Sequence, residues 1–123
     1  MYSNALDFNK GKLPYKEIFI QYGLLTTIIH SVTLYLFDNN IFSLSIITLT
    51  FYQLSILLIS LTINNLINKE YAIISYLILL MNHPIPWLPW SNYIAFFFIT
   101  LGIFLLTKRN KNFFIIGVVF SLI

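Results

Sequence analysis

The side chains able to do chemistry are few in this chain: two histidines, four carboxylic acids, and hydroxyl and amide groups scattered through long apolar runs. His30 lies in the first of those runs. On a helix turning about 100° per residue, Gly23, Thr26, Thr27 and Thr33 fall within roughly 60° of His30, so one face presents hydroxyls, a small residue and an imidazole. The next run has a matching face, with Thr50, Gln53, Ser60 and Asn64 inside roughly 80° of arc. Two chemistries suit such faces. One is helix packing, in which hydroxyls and amides bridge neighbouring helices for about 0.6 kcal/mol per bond. The other is a hydrated proton or ligand path in which His30 titrates.

The remaining chemistry is defined more by what is missing. Asp7, Glu17, Asp38 and Glu70 sit in the N-terminal arm, at a helix edge or in turns, so no apolar run holds an acid near its middle. A carrier or pump that works through an intramembrane carboxylate is thereby disfavoured. Serine and threonine are frequent, yet there is no nucleophile elbow and no acid placed to orient His30, so no catalytic residue is assigned. His30 and His83 are the imidazoles that could ligate a haem, but no pattern surrounds either, and no cofactor is expected. The absence of cysteine removes disulfides, thiolate metal sites and iron–sulfur ligation from the protein's own side chains. Phosphate loops, zinc spacings and nucleic-acid modules are absent.

The elements that must carry these groups follow from composition. Of 123 residues, 59% are hydrophobic and 9% charged, too little polar surface to cover a water-soluble globule, so the expected fold is an all-α membrane protein with about four crossings. Residues 1–16 read as a polar arm outside the membrane, with Pro14 suited to the first turn of the following helix. A single helical membrane domain is expected over 17–123, with helices at about 18–37, 41–67, 71–82 and 92–107 and a short apolar tail over 113–123. Twenty residues at 1.5 Å each match a hydrocarbon core of roughly 30 Å, whereas the tail reaches about 17 Å and should lie in the interface or dip against neighbouring subunits. No cleaved signal peptide is expected, because the first apolar run begins after Pro14 and is too long for one.

Between the third and fourth helices the stretch MNHPIPWLPWSNY interrupts the apolar pattern. Its prolines remove backbone donors and disfavour helix before them. Trp87 and Trp90 suit the headgroup level, and non-helical chain at that depth needs protein cover, which makes His83, Trp87 and Trp90 candidates for a subunit contact. An ordinary interfacial loop is the alternative.

Charge tests the topology. With four crossings, Lys10, Lys12, Lys16, Lys69, Lys108, Arg109 and Lys111, all seven basic residues, fall on one side. That is the positive-inside pattern, and it puts both termini on the cytoplasmic, matrix or stromal face. Lys108, Arg109 and Lys111 also suit anionic lipid headgroups.

Isoleucine, phenylalanine, asparagine and tyrosine are abundant, while Ala5, Ala72 and Ala95 are the only alanines and Arg109 is the sole arginine, a bias expected of an AT-rich genome. In this composition the chain resembles small mitochondrially encoded inner-membrane respiratory-chain subunits of AT-rich protists, ciliates especially. Its size is similar to that of a small membrane-arm subunit of proton-pumping NADH dehydrogenase. That family is characterised by glutamates within its second and third helices, and here Gln53 is the only comparably placed polar group in the second. The resemblance implies a non-catalytic subunit supporting assembly or stability of a respiratory complex, with other membrane subunits as partners and no nucleic acid. The alternative is a small four-helix homodimeric transporter. Small multidrug exporters have this length, but their glutamate lies inside the first helix, whereas Glu17 sits at the edge.

Overall fold

The computed structural model describes residues 2–20, 23–37, 39–81, 91–108 and 112–121. Among these the fold is all-helical: α1 (Tyr2–Asn9), α2 (Leu24–Leu36), α3 (Ile41–Leu66), α4 (Lys69–Met81), α5 (Ser91–Thr107) and α6 (Phe113–Ser121). The chain divides into two compact units, one comprising residues 1–49 and 86–91, the other residues 50–85 and 92–123. Helix α3 contributes its first turns to one unit and the rest to the other.

The first unit departs most from the sequence reading. Residues 2–9 of the expected polar arm are a helix, because Tyr2, Ala5, Leu6 and Asn9 recur at the spacing of one helix face. Ala5 is buried with Leu34 and Leu44, and Tyr2 and Leu6 pack on that cluster. The helix stops at Gly11, whose φ of 83° lies in the region that glycine alone adopts without strain. The Gly11 N–H donates to the Phe8 carbonyl at 3.0 Å and the Lys12 N–H to the Asp7 carbonyl at 3.1 Å, the paired bonds of a Schellman ending. A Lys12–Asp7 ion pair at 2.8 Å lies beside it.

The expected helix over 18–37 also begins later. Residues 13–18 close on themselves: the Leu13 N–H donates to the Glu17 carboxylate at 2.7 Å and the Glu17 N–H to the Leu13 carbonyl at 2.9 Å. Pro14 belongs to this turn, where it pairs with Ile18, rather than to the first turn of a helix. Gly23, with φ 84° and ψ 147°, precedes the start of α2 in a conformation that only glycine adopts readily. The remaining 13 residues make a helix of about 20 Å, shorter than a hydrocarbon core of roughly 30 Å.

Asparagines start three of the helices. The Asn40 side-chain oxygen accepts from the Phe42 N–H at 3.0 Å, that of Asn68 from the Tyr71 N–H at 3.0 Å, and that of Asn112 from the Ile115 N–H at 3.3 Å. Each satisfies a first-turn donor that has no partner within its own helix.

In the second unit the packing is up-down-up-down. The Ser60 hydroxyl of α3 donates to the Ala72 carbonyl of α4 at 2.6 Å, so these two run antiparallel about the short link at 67–68. Helix α5 runs back alongside α3: the Phe51 and Phe97 rings meet edge-on at 5.0 Å, and the Asn65 amide donates to the Thr107 hydroxyl at 3.2 Å. Helix α6 then doubles back on α5, and a Cβ placed on Gly102 would meet the Phe120 ring at 2.6 Å. Within the apolar tail, residues 113–121 form a helix returning along α5, with Ile116 and Val119 buried.

Among the described residues one helix, α3 at 26 residues, is long and apolar enough to cross a membrane. The four expected crossings are not shown. His83 to Trp90, Asp38, Arg109 and Lys111 lie outside the described residues.

Replacing Gly102 with leucine should dislodge Phe120 and free α6, read as faster amide exchange over 113–121 with α3 and α4 still protected. Adding Phe120→Ala to that variant should relieve the clash and return part of the protection to residues 113–117.

Candidate functional site

The polar faces are the candidate site, and the two units treat them differently. On α2, Thr26, Thr27, His30, Ser31 and Thr33 are buried along with Leu34. Ser31 and Leu34 meet α1, and the contact is polar as well as apolar. Ser31 donates its hydroxyl to the Asn9 side-chain oxygen, and the Asn9 amide donates back to the Ser31 carbonyl at 3.1 Å. Further along, the Tyr2 hydroxyl donates to the Asn39 carbonyl at 2.8 Å and the Asn4 amide to the Phe19 carbonyl at 2.7 Å. The Asn9–Ser31 and Tyr2–Asn39 pairings run in opposite directions along the chain, so α1 and α2 are antiparallel, while the Asn4–Phe19 bond ties α1 to the segment before α2. Ser31 is about 100° from His30 on the helix, outside the arc of the expected polar face, and Asn9 lies in the segment expected as a polar arm.

His30 is 1% exposed, and neither ring nitrogen has a hydrogen-bond partner among the described residues. A neutral imidazole offers one donor and one acceptor, and burying both unpaired costs free energy. Its neighbour in the predicted face, Thr33, donates its hydroxyl to the Ile29 carbonyl at 2.7 Å, within the same helix.

On α3 the predicted face is only partly covered. Ser60 is buried and bonded to α4; Gln53 is half-buried; Thr50 and Asn64 are exposed. The amide that joins helices is Asn65, one residue on, through Thr107. A single residue is about 100° of rotation, enough to exchange which of two adjacent asparagines faces a neighbour. Ala72 makes the α3–α4 contact close, since its small side chain lets Ser60 reach its carbonyl, which also accepts the Ser75 hydroxyl at 2.9 Å.

The hydroxyls share a chemistry. Thr48, Ser55 and Thr62 donate to carbonyls four residues back, and Thr100, Thr107 and Ser121 to carbonyls three back. Each spends its proton on its own helix, which hides a polar group in apolar surroundings. Acids and imidazoles do not gather: among the described residues no group of three or more His, Asp or Glu could hold a metal ion. Asp7 pairs with Lys12, Glu17 closes the 13–18 turn, and Glu70 lies in the first turn of α4.

No protein-family model, curated protein or solved structure matches the chain.

Two substitutions separate the roles on α2. Ser31→Ala should lower the unfolding midpoint by the equivalent of about 1 kcal/mol, because the Asn9 side-chain oxygen loses the hydroxyl that donates to it. His30→Leu should leave stability unchanged or raise it by a similar amount, since an unpaired buried polar ring gives way to an apolar side chain. Thermal unfolding in mild detergent reads both.

Proposed function

We propose that this chain is a non-catalytic integral membrane subunit whose apolar surface is covered partly by lipid and partly by other membrane proteins. The observation that carries the reading is α3: 26 residues, about 39 Å of helix, with only 28% of its apolar window buried by the rest of the chain. A core helix of a water-soluble domain hides most of such a surface. Exposed apolar residues on α4, among them Ile73, Ile74, Leu77 and Ile78, extend the same demand. The hydroxyls that donate to their own helices support it too, since a bilayer core cannot satisfy them otherwise.

Within that reading the chain supports the assembly of a respiratory-chain complex of the mitochondrial inner membrane, in the membrane arm of proton-pumping NADH dehydrogenase, with both termini on the matrix side. Its support is the compositional resemblance and the sorting of basic residues to one face that four crossings would give. The lack of an acid within α2, α3 or α5 accords with a subunit that carries no proton itself. A homodimeric transporter is the second reading, favoured only by size.

Extraction of the natural membranes with mild detergent distinguishes them. The chain should resist alkaline carbonate and migrate in a native gel at the size of a large complex, together with NADH-oxidising activity. Release by carbonate would remove the membrane reading. A species near twice the chain's mass would favour the transporter.

A further inference from the structure

We propose that the turn between α1 and α2, residues 13–19, docks into the headgroup layer of a phospholipid bilayer, with Leu13, Tyr15 and Phe19 entering the interface and Lys10 and Lys16 meeting lipid phosphates. The proposal rests on the membrane reading above and adds a segment that binds the lipid surface without crossing it.

The turn holds its large apolar side chains away from the protein. Tyr15 has φ 62°, a left-handed conformation unfavourable for a bulky residue. It reverses the chain, so that the Tyr15 N–H donates to the Ile18 carbonyl at 3.1 Å, while the Leu13 N–H donates to the Glu17 carboxylate at 2.7 Å. Glycine would take this conformation without strain but would present no side chain. Tyr15 presents a ring that is 68% exposed. Ile18 and Ile20 are buried, and Phe19 between them turns outward, 82% exposed. Its carbonyl accepts from the Asn4 amide at 2.7 Å, which fixes this end of the turn against α1. Leu13, the third exposed apolar residue, is tied to Glu17 through both its N–H and its carbonyl. Three large apolar side chains thus stand clear of the first unit within seven residues, on a turn closed by its own hydrogen bonds.

The charges around them complement a phosphate surface. Lys10, Lys12 and Lys16 are all exposed. Both acids of the segment are engaged within it: Asp7 pairs with Lys12 at 2.8 Å, and the Glu17 carboxylate holds the Leu13 N–H. Lys10 and Lys16 remain to answer an external anion, and their long stems let the ammonium groups stay at phosphate level while apolar neighbours go deeper. A tyrosine ring, apolar in its body and polar at its tip, suits the same level. Phenylalanine and leucine supply apolar area just below it. Each lysine near an anionic bilayer surface is worth roughly fivefold in affinity, so negatively charged lipid should draw the turn deeper than zwitterionic lipid does.

The chain has no cysteine, so Leu13→Cys or Phe19→Cys gives one site for a nitroxide label. The full chain is reconstituted from mild detergent into vesicles of phosphatidylcholine alone or mixed with phosphatidylglycerol. Paramagnetic resonance then compares collisions of the label with oxygen, which concentrates in lipid, and with a nickel chelate confined to water. Both labels should favour oxygen, more strongly with phosphatidylglycerol present. Lys10→Gln combined with Lys16→Gln should remove the difference between the two vesicles. Tyr15→Gly, which keeps the left-handed turn and relieves its strain, should leave amide protection of α2 unchanged yet open the Phe19→Cys label to the chelate. Labels at 13 and 19 that meet the chelate freely in both vesicles place the turn in water and overturn the proposal while the membrane reading stands. Labels open in vesicles but shielded from both reagents in the natural membranes show a protein partner instead, and overturn it too. A chain that floats with neither vesicle overturns the membrane reading as well.

Discussion

The structure depends on satisfying backbone and hydroxyl groups within a chain that has almost no charged surface to offer water. Where 59% of the residues are hydrophobic, each carbonyl and N–H left without a partner in apolar surroundings costs several kcal/mol. Helix is the local answer, and the ends of helices are where it fails. Asn40, Asn68 and Asn112 repair three of those ends, and the Gly11 ending repairs the C-terminus of α1. Threonine and serine within the helices hide their protons on carbonyls three or four residues back.

Once those demands are met locally, few polar groups remain to join helices, and the ones that do are correspondingly specific. Asn9 and Ser31 form a reciprocal pair between α1 and α2, Ser60 reaches the Ala72 carbonyl, and Asn65 reaches Thr107. Dispersion and ring contacts such as Phe51 with Phe97 and Tyr52 with Tyr93 have no directionality comparable to these bonds. The polar pairs thus set register along helices whose apolar faces could slide. His30 stands apart, buried on α2 without a partner among the described residues, which makes it a conformational cost rather than a register device.

Large apolar areas on α3, α4 and α6 are left uncovered by the chain itself. Their exposure links the fold to the functional reading, because a surface of this kind needs either lipid or a partner. The core of the first unit is small, built on Ala5, Leu34 and Leu44.

What the sequence determined by itself was the local physics: helices from apolar periodicity, breaks at Asn-rich turns, and the absence of an acid inside any apolar run. Helix α1 was readable in principle from the spacing of Tyr2, Ala5, Leu6 and Asn9, but eight residues with little apolar mass resemble a solvated arm until α2 lies beneath them. The start of α2 at Leu24 rather than residue 18 depended on the Glu17 carboxylate finding the Leu13 N–H and on Gly23 entering a glycine-only conformation. The polar faces were legible as stripes, yet which member bonds a neighbour was decided only by tertiary packing. A rotation of one residue exchanges Asn64 for Asn65, and a partner such as Asn9 or Thr107 lies 22 or 42 positions away in the chain. Periodicity acts over three or four residues, whereas those contacts exist only after the helices have docked, and the return of α6 onto Gly102 is of the same kind.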